Sequence, residues 1–184
     1  MATDEFRAHY LRDVARTFRN YKTLGERAIA QVSDADLHAL VDPDANSIAI
    51  VVKHLAGNLR SRFTDFLTTD GEKPTRNRDD EFEMPERASR ADMLRWWEQS
   101  WAVTLGAVDA LTPDDLDRTV TIRGEAFLVV EALGRLVTHA AYHVGQIVLL
   151  AKHFAGPTWT SLSIPKGRSA DAKGEFKKGF IPAR

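Results

Sequence analysis

The stretch from Phe127 to Phe154 is apolar along most of its length, and two histidines, His139 and His143, interrupt it on one face. Residues four apart are neighbours on an α-helix, so the two imidazoles share one surface, a turn apart. In heptad terms Leu136, His139, His143, Gln146 and Leu150 follow the alternation that faces a bundle core. An imidazole buried there costs free energy unless a partner satisfies it. The pattern calls for a long helix, about Glu125 to His153, with a polar purpose on an apolar face; Gly156-Pro157 stops it.

Three further stretches repeat the helical period. Phe6, Tyr10, Val14, Phe18 and Tyr21 form the stripe of a first helix reaching about Gln31, with Arg7, Arg12, Asp13, Arg16 and Arg19 on its other faces. Val51, Leu55, Leu59, Phe63 and Phe66 mark a second, Ser47 to Leu67, with Ser47 as its cap. Leu94, Trp97, Trp101, Leu105, Val108 and Leu111 mark a third, opened by Ser89 with Asp92 three residues on, a capping box. Trp97 and Trp101 are assigned to the core, because an aromatic stripe at helical spacing is usually packing.

Ser33 to Leu37 and Thr112 to Leu116 share one pattern, a hydroxyl cap, an acid three residues later and a leucine, so each is expected to be a short helical turn. The segment Thr68 to Ala88 is charged, holds Pro and Gly, and is too long for a tight connection. It is expected to cross the length of a bundle, leaving helices two and three parallel. Thr119 to Ile122 before Arg123-Gly124 reads as a short extended piece from which no sheet is built. The expected fold is all-α, a four-helix bundle with a long crossover between helices two and three.

At 184 residues, 43% hydrophobic and 28% charged, the chain suits one soluble domain with a real core, residues 1–184, in which 157–184 forms a C-terminal extension packed on the bundle. It has no cysteine, which removes disulfide scaffolds, thiolate zinc sites and cysteine nucleophiles together. Any metal has to be held by nitrogen and oxygen. The net charge of −1 argues against general nucleic-acid binding, although Lys166 to Arg184 carries six basic residues against two acidic. Phe176 and Phe180 are spaced like packing anchors for that tail. With no signal-peptide pattern at Met1 to Phe6 and no apolar run near the roughly 20 residues of a membrane helix, the expected location is cytoplasmic, away from the membrane.

A third histidine, His54, lies in the second helical run. Three neutral imidazoles around one ion leave a position open for water, which is a catalytic arrangement. The competing reading is that each imidazole bonds a carbonyl or carboxylate within the core. Asn58 and Gln146, each about a turn from a histidine, are candidates for contacts behind the ligands or to what the metal holds, or for satisfied bundle polars. Arg62, a further turn along, is a candidate for meeting an anionic substrate or for a salt bridge at the rim. His9, His38 and His153 read as surface residues.

Lys53-His54-Leu-Ala-Gly-Asn58 together with Thr138-His139-Ala-Ala-Tyr-His143-Val-Gly-Gln146 resembles the DinB/YfiT-like metalloenzyme superfamily over most of the chain. Trp159 to Gly167 resembles a branch of it without assigned function. The resemblance implies a four-helix bundle with one long crossover, homodimers, and His54, His139 and His143 as ligands to a divalent metal. Zinc or nickel is the first expectation for the ion, with iron or manganese as alternatives, because three imidazoles accept several first-row ions. Relatives include thiol-dependent transferases and an isomerase, in which a divalent metal stabilises the thiolate nucleophile. The expectation for this chain is a metal-dependent enzyme acting on a small molecule, such as an S-transferase using an external low-molecular-weight thiol. The alternatives are a metal-dependent hydrolase, or a non-catalytic metal- or ligand-binding bundle associated with stress. No acid accompanies the histidine pair as in H-E-x-x-H proteases, which speaks against peptide hydrolysis.

Overall fold

Helical periodicity in the sequence becomes five α-helices among residues 2–84 and 88–170, the residues described by the computed structural model. They are α1 (Ala2–Ile29), α2 (Asp34–His38), α3 (Ile48–Phe63), α4 (Arg90–Asp109) and α5 (Val129–Ala155), with a small hairpin of β1 (Thr119–Ile122) and β2 (Glu125–Leu128). The long helices pack α3 on α4, α1 on α5, α3 on α5 and α1 on α4, which is consistent with a bundle. Arg90 at the start of α4 donates to the carbonyls of Ile29, the last residue of α1, and Val32 just beyond it, so these two helices run in opposite directions. The C-terminal ends of α3 and α4 lie together, Phe63 and Thr64 sharing a depression with Gly106 and Ala110.

Local signals set the helix ends. The Ser47 hydroxyl accepts from the Ile50 N–H at 3.2 Å and opens α3. Ser89 and Asp92 form the capping box at α4, and Ser33 and Asp36 do the same at α2. Thr112 donates its N–H and hydroxyl to the Asp115 carboxylate at 2.8 and 2.7 Å, holding the 3₁₀ turn Pro113–Asp117. Gly156 ends α5 with φ at 53°, in the left-handed region where glycine carries no Cβ penalty.

The core is built on aromatics. Phe18 of α1 meets Phe63 of α3 edge to face at 5.5 Å and Trp101 of α4 at 6.2 Å, and Trp97 lies 5.4 Å from Trp101. Trp97 and Trp101 are fully buried, as their spacing predicts. Phe6 departs from the stripe and is 71% exposed. Tyr10 already reaches the Val130 carbonyl in the first turn of α5, so Phe6, a turn earlier, has run past that helix.

Three boundaries correct the expectations. The all-α expectation gives way to the hairpin, in which Val120 pairs with Phe127 and Ile122 with Glu125. Arg123 and Gly124 at its tip both take positive φ, 56° and 77°, and their N–H groups donate to the Asp70 carboxylate at 2.9 and 2.8 Å. The fourth predicted helix therefore starts at Val129 rather than Glu125, where Glu131 accepts from the Leu128 N–H at 2.8 Å. The second stops at Phe63 rather than Leu67, because Thr64 turns extended and Asp65 takes φ 49°.

The connection between α3 and α4 is anchored rather than loose. Ser61 and Arg62 donate to the Gly71 carbonyl, and Lys53 donates to the carbonyls of Asp80 and Glu83 at 2.5 Å. A 3₁₀ turn, Asp79–Phe82, packs on α3. Beyond α5, Gln31 exchanges two hydrogen bonds with the backbone of Thr160, and Leu162 is buried. Phe176 and Phe180, taken as tail anchors, lie outside the described residues. Among the described residues no helix is long and apolar enough to cross a membrane.

Candidate metal centre

The expected histidines come together. His54 on α3 and His139 and His143 on α5 each offer a ring nitrogen, and these atoms lie within 4.8 Å of one another. His143 is a turn beyond His139 on the same face, and the two Nε2 atoms are 3.2 Å apart. The His54 ring centroid is 4.7 Å from that of His143 and 5.6 Å from that of His139. His54 and His143 are buried, at 4% and 9% exposure, and His139 is half-buried.

Hydrogen bonding fixes which nitrogen His54 and His143 offer. His54 Nδ1 donates to Glu81 Oε2 at 2.9 Å, since an ionised carboxylate only accepts. Its Nε2 is left for the cluster. His143 Nδ1 donates to Gln146 Oε1 at 2.8 Å, and Gln146 in turn donates to the Tyr142 hydroxyl at 3.3 Å. This leaves His143 Nε2 as a bare lone pair facing His139. Among the described residues His139 Nδ1 is buried without a hydrogen-bond partner.

Glu81 is held firmly. Arg76 donates to both its oxygens, Nε to Oε1 at 2.7 Å and a terminal nitrogen to Oε2 at 2.8 Å. Burial raises the Glu81 carboxyl, but the hydrogen bonds from Arg76 and His54 and their charge outweigh it and hold it below its ordinary value. Gly57 leaves room for it, since a Cβ there would come within 2.2 Å of Oε1. Phe82 adds a ring 4.7 Å from that of His54.

Burial, with the neighbouring His143, His54, Arg62 and Arg76, pushes the His139 imidazole down to about 3. Burial also lowers His143, against the hydrogen bond it donates to Gln146. Both rings are therefore neutral near pH 7, the form that ligates a metal. The donor set fits a divalent ion: nitrogens about 2.0–2.1 Å from a tetrahedral centre stand about 3.3–3.4 Å apart, close to the Nε2 pair seen here. Glu81 behind His54 completes the carboxylate–histidine arrangement common behind metal ligands.

The other named residues fall differently. Asn58 is buried a turn along α3 from His54, and its Oδ1 has no donor among the described residues. Gln146 touches His143. Arg62 is 5% exposed and donates to the Gly71 carbonyl at 2.6 Å and to Glu72 at 2.9 Å, an ion pair whose guanidinium is buried and whose carboxylate is part-exposed. His9, His38 and His153 are exposed, as expected.

Sequence reasoning missed Glu81 and Arg76, which sit in a connection read only as a charged crossover. The available signal was Phe82, one of few apolar residues between Thr68 and Ala88 and hence a point where that segment had to dock. The buried three-histidine group is consistent with the metal site that the DinB/YfiT-like resemblance implies. A comparison with curated proteins found no match. The model of one family, described as a protein of unknown function (DUF1572), matches residues 5–168, and the chain belongs to that family.

Proposed function

We propose that this protein is a divalent-metal-dependent enzyme acting on a small molecule, with an external thiol as its cosubstrate. The fold in this reading is the DinB/YfiT-like four-helix bundle, α3 and α4 running parallel across the long connection between them. Supporting it, the C-terminal ends of α3 and α4 lie side by side.

One observation carries the functional reading. Three imidazoles converge while the nearby carboxylate, Glu81, is turned onto the back of His54 and saturated by Arg76. The group found among the described residues thus consists of three ligands, a count that leaves coordination open to a small molecule. A divalent ion held there supplies Lewis acidity, lowering the pKa of a thiol or water that joins it.

The chain's own residues do the rest. Glu81 holds the proton on His54 Nδ1 and orients the ring, and Gln146 does the same for His143. Burial keeps His139 and His143 neutral and limits water around the cluster. Glu81 is a poor general base, because both its oxygens already accept hydrogen bonds from Arg76. That favours a nucleophile activated by the ion itself, such as a thiol, over hydrolysis that needs a separate base.

The test is to load the protein with cobalt(II) and titrate in a small thiol. A sulfur-to-cobalt charge-transfer band in the near ultraviolet is expected. A cobalt-loaded protein whose spectrum ignores thiols contradicts the thiol reading. The proposal includes a homodimer, supported by exposed Tyr142 and Leu149, seven residues apart on α5. A monomer by light scattering at micromolar concentration would remove it.

A further inference from the structure

Beside Glu81, α3, α4 and the connection between them line a half-open cavity of about 510 Å³. None of the three histidines lines it. It is large enough for a small organic molecule, since ligand pockets run from roughly 300 to 1,000 Å³.

Its wall begins with α3. Lys53, Gly57, Arg60 and Thr64 follow one another at spacings of four, three and four, so they form one stripe on that helix. Gly57 has no side chain at the middle of the stripe, and the Glu81 carboxylate fills that space, so Glu81 forms the floor between Lys53 and Arg60. Lys73 enters from the connection, and the half-buried Trp96 of α4 closes the side with a flat indole.

Charge on this wall is unequal. Arg76 is matched by Glu81 and by Glu72, which leaves Lys53, Arg60 and Lys73 with Asp80 as the remaining carboxylate among the described lining residues. Lys53 and Lys73 are tied to neutral main-chain carbonyls, which orient them without cancelling their charge. Arg60 is exposed at the mouth. Burial lowers Lys73, with Asp65 and Asp70 opposing the shift and Arg62 adding to it.

We propose that this cavity binds a small organic oxyanion, a carboxylate or a phosphate ester, with its charged end between Arg60 and Lys73 and its flat apolar body against Trp96. An oxyanion supplies the charge the wall lacks and accepts hydrogen bonds from guanidinium and ammonium groups together. The site needs no metal, so it stands or falls separately from the metalloenzyme reading.

The test is calorimetric titration of the full-length protein with benzoate, phenyl phosphate and uncharged benzyl alcohol. Chelator treatment beforehand prevents an anion on a metal from imitating the site. Saturable binding of benzoate or phenyl phosphate is expected, the tighter of the two naming the head group, with none for benzyl alcohol. Arg60→Ala combined with Lys73→Ala should weaken it tenfold or more. Arg60→Glu alone, which disturbs only an exposed side chain, should do the same if the double variant does not fold. No binding of either anion at millimolar concentration, or binding unchanged in a folded variant, overturns the proposal.

Discussion

Glu81 occupies space that only a glycine at position 57 allows: a Cβ there would stand 2.2 Å from Glu81 Oε1. The same carboxylate accepts the hydrogen bond from His54 at 2.9 Å, so an atom missing from α3 decides whether His54 is held from behind. Gly57→Ala sets two effects against each other. Alanine favours the helix by about 1 kcal/mol, while overpacking against a carboxylate clamped by Arg76 costs roughly 1–3 kcal/mol. Displacement of Glu81 should win, and metal affinity by chelator competition should fall on the order of 10–100-fold, as when such supporting groups are lost. Affinity equal to that of the native chain would show that Glu81 does not support the site.

Glu81→Gln keeps the shape and removes the charge that fixes the His54 proton. It also leaves the Arg76 guanidinium, with a side chain only 5% exposed, short of one of its two carboxylate partners. Metal affinity is expected to drop by about 10–100-fold. Thermal stability of the metal-free protein should fall as well, because removing one partner of a buried pair is costly. A variant as stable and as tight-binding as the native protein would count against this arrangement.

Much of the fold is legible because its signals are local. Ser47, Ser89 with Asp92, and Gly156 mark helix ends by chemistry within a few residues, and the stripes through Phe18, Phe63, Trp97 and Trp101 mark the face that packs. His139 and His143 are legible for the same reason, since helical spacing alone brings them together. The hairpin is not, because its turn leans on Asp70, which accepts from Arg123 and Gly124 across the chain. Glu125 to Leu128 then adjoins α5 and passes as helix by composition. Glu81 reaches His54 only because the connection docks on α3, a tertiary event no period announces. Phe6 shows the reverse failure, a periodic residue left exposed.

Phe18 joins three helices through its contacts with Phe63 and Trp101. Fully buried, it has no route to relax when truncated. Phe18→Ala should cost about 3–5 kcal/mol, read as a lower urea midpoint with an unchanged slope. A loss below about 1 kcal/mol would show that the site collapses or that the contact is not central.

Glu72 gives the fold an acid dependence. Burial raises its carboxyl, but Arg123 and Arg62 donate to it and Arg62 and Arg76 add their charge, bringing it from 4.5 to about 2. A folded value below the unfolded one means that its contribution is complete above pH 4.5 and is lost as pH falls from there toward 2. Over that window stability should decline by on the order of 1–3 kcal/mol on this account alone. Glu72→Gln should be less stable near pH 7 and lose less between pH 4.5 and 2. Parallel stability curves for the two proteins would refute the assignment.

The central claim is that His54, His139 and His143 hold a divalent ion, and elemental analysis tests it most directly. The native protein, purified without a nickel column, is measured beside a folded variant carrying His54→Ala, His139→Ala and His143→Ala. About one ion per chain in the native protein and none in the variant is the predicted result. No ion in either, even after incubation with zinc, nickel, iron or manganese, would contradict the account and leave a buried histidine cluster without a metal.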